Sequence, residues 1–213
     1  LNKLDVRLLS DKPFVNNEGR EFESFKERYF RLKVRALFET KQYKACVECA
    51  NQALATPLKW HYNALQWIKY YRGCALLELK EYDEAEKIYD KLINNDSKNA
   101  QYYILKGECL AKSGDAKAAV KVYEQGWNST NDTDFLEKIC GIYVEQKDYD
   151  NALKYIQKGI EQGGESKAGF MYGKIVIYEK AQEYDRAYEA AKKYVELYPD
   201  DEAGKKEYIF LST

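Results

Sequence analysis

The stretch KEYDEAEKIYDKLI, Lys80–Ile93, is written several times along the chain. KDYDNALKYIQKGI (Lys147–Ile160) and QEYDRAYEAAKKYV (Gln182–Val195) repeat it closely, and KQYKACVECANQAL (Lys41–Leu54) repeats it loosely. Its opening aromatic or small residue falls at Tyr43, Tyr82, Ala116, Tyr149 and Tyr184, at intervals of 39, 34, 33 and 35 residues. A period near 34 belongs to helix–turn–helix repeats. One such helix pair cannot bury its apolar face alone, so the pairs must stack and share a core.

Three residues past each marker stands a small residue: Cys46, Ala85, Ala119, Ala152 and Ala187. Small side chains in phase are a packing demand, because two helices cross there without room for more. Nine residues ahead of the marker, Gly73 and Gly107 occupy helical positions in the second and third copies; the other three carry Val34, Cys140 and Ile175. A helical glycine costs about 1 kcal/mol against alanine, offset by closer approach of the partner helix. The pattern resembles the tetratricopeptide repeat, with small residues at both crossing points, a tyrosine or leucine between them, and a closing proline at Pro199 in LYPDD. The resemblance implies an all-α, right-handed solenoid of five repeats with a short C-terminal capping helix.

The repeats fall at about 27–57, 66–98, 100–131, 133–165 and 168–200. Their helices are expected near 24–40 and 43–55, 60–79 and 82–94, 100–112 and 115–127, 133–146 and 149–161, and 167–181 and 184–197. The tail DEAGKKEYIFLS (201–212) reads, over 201–211, as the cap that a terminal repeat needs. Residues 21–213 thus form the repeat domain, and residues 1–20 read as an N-terminal arm or linker packing on the first helix. Within that arm, DVRLLSDKPF weakly resembles the last strand of a phosphoacceptor receiver domain.

Composition narrows function. Lys and Arg number 34 against 35 Asp and Glu, so no basic excess points to nucleic acid or an anionic membrane. No apolar run approaches a membrane span. The five cysteines are odd in number and lie in helical patterns, which fits reduced thiols in a cytoplasmic setting rather than a disulfide frame. Cys46 and Cys49 form a CxxC without a second pair to complete a zinc site. They also lie one turn into a helix, not at its N-terminus, so they read as core residues. His61 is the one histidine, beside Trp60, and reads as a packing or capping residue. No nucleophile elbow, phosphate loop or HExxH motif occurs, so no enzyme, cofactor or metal is expected.

The resemblance implies that the first helix of each pair lines a concave, peptide-binding wall. Carried over by position, the first repeat offers Arg28, Arg31, Arg35 and Phe38, and the second Trp67, Tyr70, Cys74 and Leu77. The third offers Gln101, Ile104, Glu108 and Ala111, the fourth Asp134, Glu137, Gly141 and Val144, and the fifth Gly169, Tyr172, Val176 and Glu179. This wall runs from basic through aromatic to acidic. It suits a partner segment with an acidic end, an apolar middle and a basic end. In the alternative, the arginines only pair with nearby glutamates on a solvated face. A heat-shock chaperone carboxylate clamp is not expected. Its positions hold Arg31, Arg35, Tyr71, Gln101 and Leu105 or, one repeat on, Tyr70, Cys74, Leu105, Asp134 and Lys138. The leading expectation is a non-catalytic interaction scaffold for a protein or peptide. A second reading is a regulatory or targeting module of a larger enzyme or signalling protein, which the Leu1 start and the DKPF turn suit. RNA binding through the arginines is a third, disfavoured by the charge balance.

Overall fold

The structure is a computed structural model and describes residues 5–18 and 20–213. Among the described residues it contains eleven α-helices and one small hairpin. The helices are α1 (Phe25–Glu39), α2 (Tyr43–Ala55), α3 (Tyr62–Glu78), α4 (Tyr82–Asn95), α5 (Ala100–Ser113) and α6 (Ala116–Thr130). They continue with α7 (Asp134–Glu145), α8 (Tyr149–Gln162), α9 (Lys167–Lys180), α10 (Tyr184–Leu197) and the cap α11 (Glu202–Leu211). Each marker residue opens the second helix of its pair. The building plan is that of an all-α helical-repeat solenoid.

The turn inside each pair has one geometry. Lys41, Lys80, Gly114, Lys147 and Gln182 sit at φ between 58° and 99°, each two residues ahead of the marker. The residue after each donates its N–H back over the turn: Gln42 to Leu37, Glu81 to Leu76, Asp115 to Leu110, Asp148 to Tyr143 and Glu183 to Tyr178. This is the Schellman stop, whose two backbone bonds satisfy carbonyls that the helix end leaves bare. Only one copy uses glycine there. The others hold a lysine or glutamine in the left-handed region, at a cost of about 1 kcal/mol.

The chain forms two compact units, residues 1–115 and 116–213. In the first, Tyr29, Phe30, Val34 and Leu37 of α1 close on Cys46, Cys49, Ala50 and Ala53 of α2 and on Ile68 and Ala75 of α3. A neighbouring cluster joins Cys74, Leu76 and Leu77 of α3, Ala85, Ile88, Tyr89 and Leu92 of α4, and Leu105 and Cys109 of α5. In the second unit, Met171 and Ile175 of α9 pack with Ala187, Ala191 and Tyr194 of α10, and Tyr208 and Leu211 of α11 cover them. All five crossing residues, Cys46, Ala85, Ala119, Ala152 and Ala187, are fully buried.

The N-terminal arm is more structured than an extended segment. A 3-10 turn spans Val6–Leu8, where the receiver-type resemblance would place a strand. β1 (Phe14–Val15) pairs antiparallel with β2 (Glu21–Phe22). Leu9 joins the first core cluster, and the Lys26 N–H donates to the Ser10 carbonyl at 3.2 Å. The expected arm also includes residues 1–4 and 19, which lie outside the described residues.

Two glycines of the second unit make the packing testable. A Cβ at Gly159 in α8 would meet the buried Phe170 ring at 2.5 Å, whereas one at Gly141 in α7 would meet nothing within 4 Å. Helix propensity alone favours alanine at both by about 0.5–1 kcal/mol. At Gly159 overpacking reverses the sign. Gly159→Ala is expected to destabilise by about 1–3 kcal/mol. Gly141→Ala is expected to stabilise by about 0.5–1 kcal/mol. Urea unfolding checks both, and equal signs would show that the α8–α9 contact is wrong.

Candidate functional site

Along α3, Asn63, Gln66, Trp67, Tyr70 and Tyr71 share one face at helical spacing. They form one side of a pocket of about 480 Å³. Leu92 and Asp96, at the end of α4, and Asn99, Gln101 and Tyr102, at the start of α5, form the rest. The Asn99 side chain caps α5 by accepting the Gln101 N–H, which fixes where that helix begins.

The pocket is built on rings. Trp67 stacks on Tyr71 at 5.3 Å between centroids with planes 25° apart, and meets Tyr70 edge-on at 6.4 Å. Tyr70 meets Tyr71 at 5.3 Å and Tyr102 at 6.2 Å. Tyr71 is backed in turn by Phe38 at 5.5 Å. Trp67 nevertheless remains 43% exposed. Burial pushes the Tyr70 phenol above its ordinary range, and the neighbouring Cys74 thiol adds to this. The Gln66 side chain is buried, and its Oε1 accepts no hydrogen bond among the described residues. Asp96 accepts the Lys98 N–H at 3.1 Å through Oδ1. No lysine, arginine or histidine is among the described residues that line the pocket.

Of the residues expected on a binding wall, the structure brings Trp67, Tyr70 and Gln101 into this pocket. Cys74 requires correction. It is buried, and its Sγ accepts the Tyr89 hydroxyl at 3.4 Å, because Gly73 lets the Tyr89 ring lie across α3. Phe38 is half-buried between Tyr43 and Tyr71. Arg31 grips Glu23 with two bonds, Nε at 2.9 Å and Nη2 at 2.6 Å, and Arg35 pairs with Glu39 at 2.7 Å. The alternative reading thus describes Arg35, an i,i+4 pair, and a longer-range version describes Arg31. Arg28 is exposed on α1, and Glu108 is half-buried on α5. Asp134, Glu137 and Tyr172 belong to the second unit. There Asp134 and Glu137 are exposed on α7, and Tyr172 packs edge-on against Tyr194 at 5.7 Å.

Gln66, Tyr71 and Tyr102 escape a position-by-position reading. For Gln66 and Tyr71 the signal is nonetheless present, since Asn63, Gln66, Trp67, Tyr70 and Tyr71 follow the i, i+3, i+4, i+7, i+8 spacing of one helix face.

All five cysteines are free and buried. Burial pushes the Cys46 thiol up to about 12 and raises Cys49 as well, so neither is a thiolate at neutral pH. Among the described residues, no group of three or more His, Cys, Asp or Glu could hold a metal ion. None of their helices is long and apolar enough to cross a membrane.

The family model described as Tetratricopeptide repeat matches residues 26–212, and the chain belongs to that family. It is 25% identical over 163 residues to the TPR repeat-containing protein MJ1428 of Methanocaldococcus jannaschii. That match takes in 76% of this chain but only 28% of the relative, so the chain spans little more than a quarter of that protein's length. Among solved structures, the C-terminal part of a TPR repeat-containing protein from Cytophaga hutchinsonii superposes with a TM-score of 0.64 at 23% identity. The match covers 85% of this chain and 69% of that one. YrrB, described as a TPR protein with an unusual peptide-binding site, superposes with a TM-score of 0.54 at 18% identity over 83% of this chain and 89% of its own. These likenesses establish the fold.

Proposed function

We propose that this chain is a non-catalytic interaction scaffold that holds a peptide segment of a partner protein in the α3–α5 pocket. The observation that carries the reading is Trp67, a large apolar side chain left 43% exposed in a pocket whose other rings hold it in place. Trp and Tyr seated in a preformed concavity are the usual anchors of protein recognition. The peptide-binding site named for YrrB supports the reading by analogy of fold alone. The free, buried thiols fit a reducing, cytoplasm-like compartment.

A displayed library of random peptides tests this whatever the partner is. Peptides selected on the wild-type chain are expected to lose about 2 kcal/mol or more of binding on Trp67→Ala, roughly thirtyfold in Kd. Helix content should not change, because the indole stands at the surface. Selected peptides that bind Trp67→Ala and Tyr70→Ala as tightly as wild type would remove the pocket from the function.

A further inference from the structure

The lining of the pocket specifies more than an apolar anchor. Four aromatic rings stand in it, and a ring face attracts a cation through its quadrupole. Among the described lining residues, Asp96 is the one acidic residue and none is basic. Gln66 adds a buried acceptor oxygen that lacks a donor among the described residues. Such an oxygen is costly to leave unpaired and is answered by an incoming N–H. Rings, a carboxylate and an unanswered acceptor therefore ask for a flat cation rich in donors. A guanidinium has five N–H donors in one plane and stacks on aromatic faces. A quaternary ammonium would satisfy the rings but offers Gln66 nothing. A lysine ammonium is a strongly hydrated point charge that stacks poorly. The volume of about 480 Å³ is ample for an arginine side chain with part of its backbone.

We propose that this pocket receives an arginine side chain of the partner segment. The guanidinium lies against Trp67 and Tyr70, its N–H groups reach the Asp96 carboxylate, and a turn of the Gln66 side chain brings its buried Oε1 to the remaining N–H groups. The inference rests on the scaffold reading above and reverses the polarity expected from the sequence. Arg31 and Arg35 of α1 already hold Glu23 and Glu39, and the α3–α5 pocket is acceptor-lined.

The test titrates the intact chain with three short peptides that differ only at a central residue: arginine, its neutral isostere citrulline, and trimethyl-lysine. Tryptophan fluorescence gives the readout, with Trp67→Ala identifying the responding indole. The arginine peptide is expected to bind roughly tenfold or more tightly than the citrulline peptide. Asp96→Asn, which keeps the turn-forming side chain, should abolish most of that difference. Gln66→Met should weaken arginine binding while raising the melting temperature, because it removes a buried, unpartnered oxygen. Equal binding of arginine and citrulline would overturn the proposal, as would a preference for trimethyl-lysine or no binding of any of the three. Library peptides that lack arginine yet still depend on Trp67 would also overturn it and leave the scaffold reading standing. Loss of Trp67 dependence altogether would fell both.

Discussion

Ala85→Asp is expected to destabilise the first unit by several kcal/mol and Ala152→Asp the second. Both alanines are fully buried at points where two helices of a pair cross. A carboxylate there meets apolar atoms such as those of Leu76, Tyr89 and Leu92 in the cluster around Ala85. An uncompensated buried charge costs about 3–5 kcal/mol. The extra atoms add overpacking of about 1–3 kcal/mol. Against a typical domain stability of about 5–15 kcal/mol, either change removes most of the margin. Ala203, exposed in the first turn of α11, is the matched control, and Ala203→Asp should stay within about 0.5 kcal/mol of wild type. Urea unfolding followed by circular dichroism compares all four chains. If Ala85→Asp or Ala152→Asp melts with wild type, the repeat register is displaced.

That register is legible in the sequence because it is written locally. A marker, a small residue three places on and a turn two places back recur within one helix pair, and stacking forces each pair to solve the same crossing. The same locality explains what is not legible. Arg35 finds Glu39 one helical turn away, a pair visible in sequence. Arg31 finds Glu23 eight residues back, ahead of the helix cap, which no helical spacing announces. A basic first repeat therefore looks available for an acidic ligand when two of its three arginines, Arg31 and Arg35, are already paired. Position in α3 puts Cys74 on the binding wall, but Tyr89 from α4 crosses Gly73 and encloses it. Neighbours on the next helix, not position along its own, decide whether a residue stays accessible. The pocket itself is half legible. Trp67, Tyr70 and Gln101 follow from register, whereas Tyr102 and Asp96 enter through how the α4–α5 connection folds back. The hairpin of the arm has strands of two residues each, too short for any periodic signal.

The second large effect concerns a carboxylate that joins two repeats. Ser24 and Glu27 form a capping box at the start of α1. Ser24 Oγ accepts the Glu27 N–H at 3.2 Å, and Glu27 Oε2 accepts the Ser24 N–H at 2.7 Å. The other carboxylate oxygen accepts the His61 N–H at 2.6 Å, at the N-cap of α3. The His61 ring nitrogen Nδ1 lies 3.3 Å from both oxygens. One carboxylate, 1% exposed, thus ties the starts of two neighbouring first helices. His61, read from sequence as a packing or capping residue, acts here chiefly through its backbone. Glu27→Ala leaves two backbone donors without acceptors, the buried Ser24 N–H and the part-buried His61 N–H, at about 1–3 kcal/mol each, so a loss of about 3 kcal/mol is expected. Glu27→Gln keeps one acceptor oxygen and the shape but loses the charge, and should cost about half as much. Burial pushes the Glu27 carboxyl up, but the backbone N–H groups of Ser24 and His61, helped by their side chains, pull it down further. Its pKa in the folded chain therefore lies below the ordinary 4.5. A depressed carboxyl stabilises fully above its unfolded value, and that part is lost as pH falls through the folded value. The stability difference between wild type and Glu27→Gln should hold constant from pH 7 down to about 5 and shrink below that. Chemical denaturation at stepped pH measures it. A difference that stays flat down to about pH 3, or Glu27→Ala as stable as wild type, would mean that this carboxylate does not join α1 to α3.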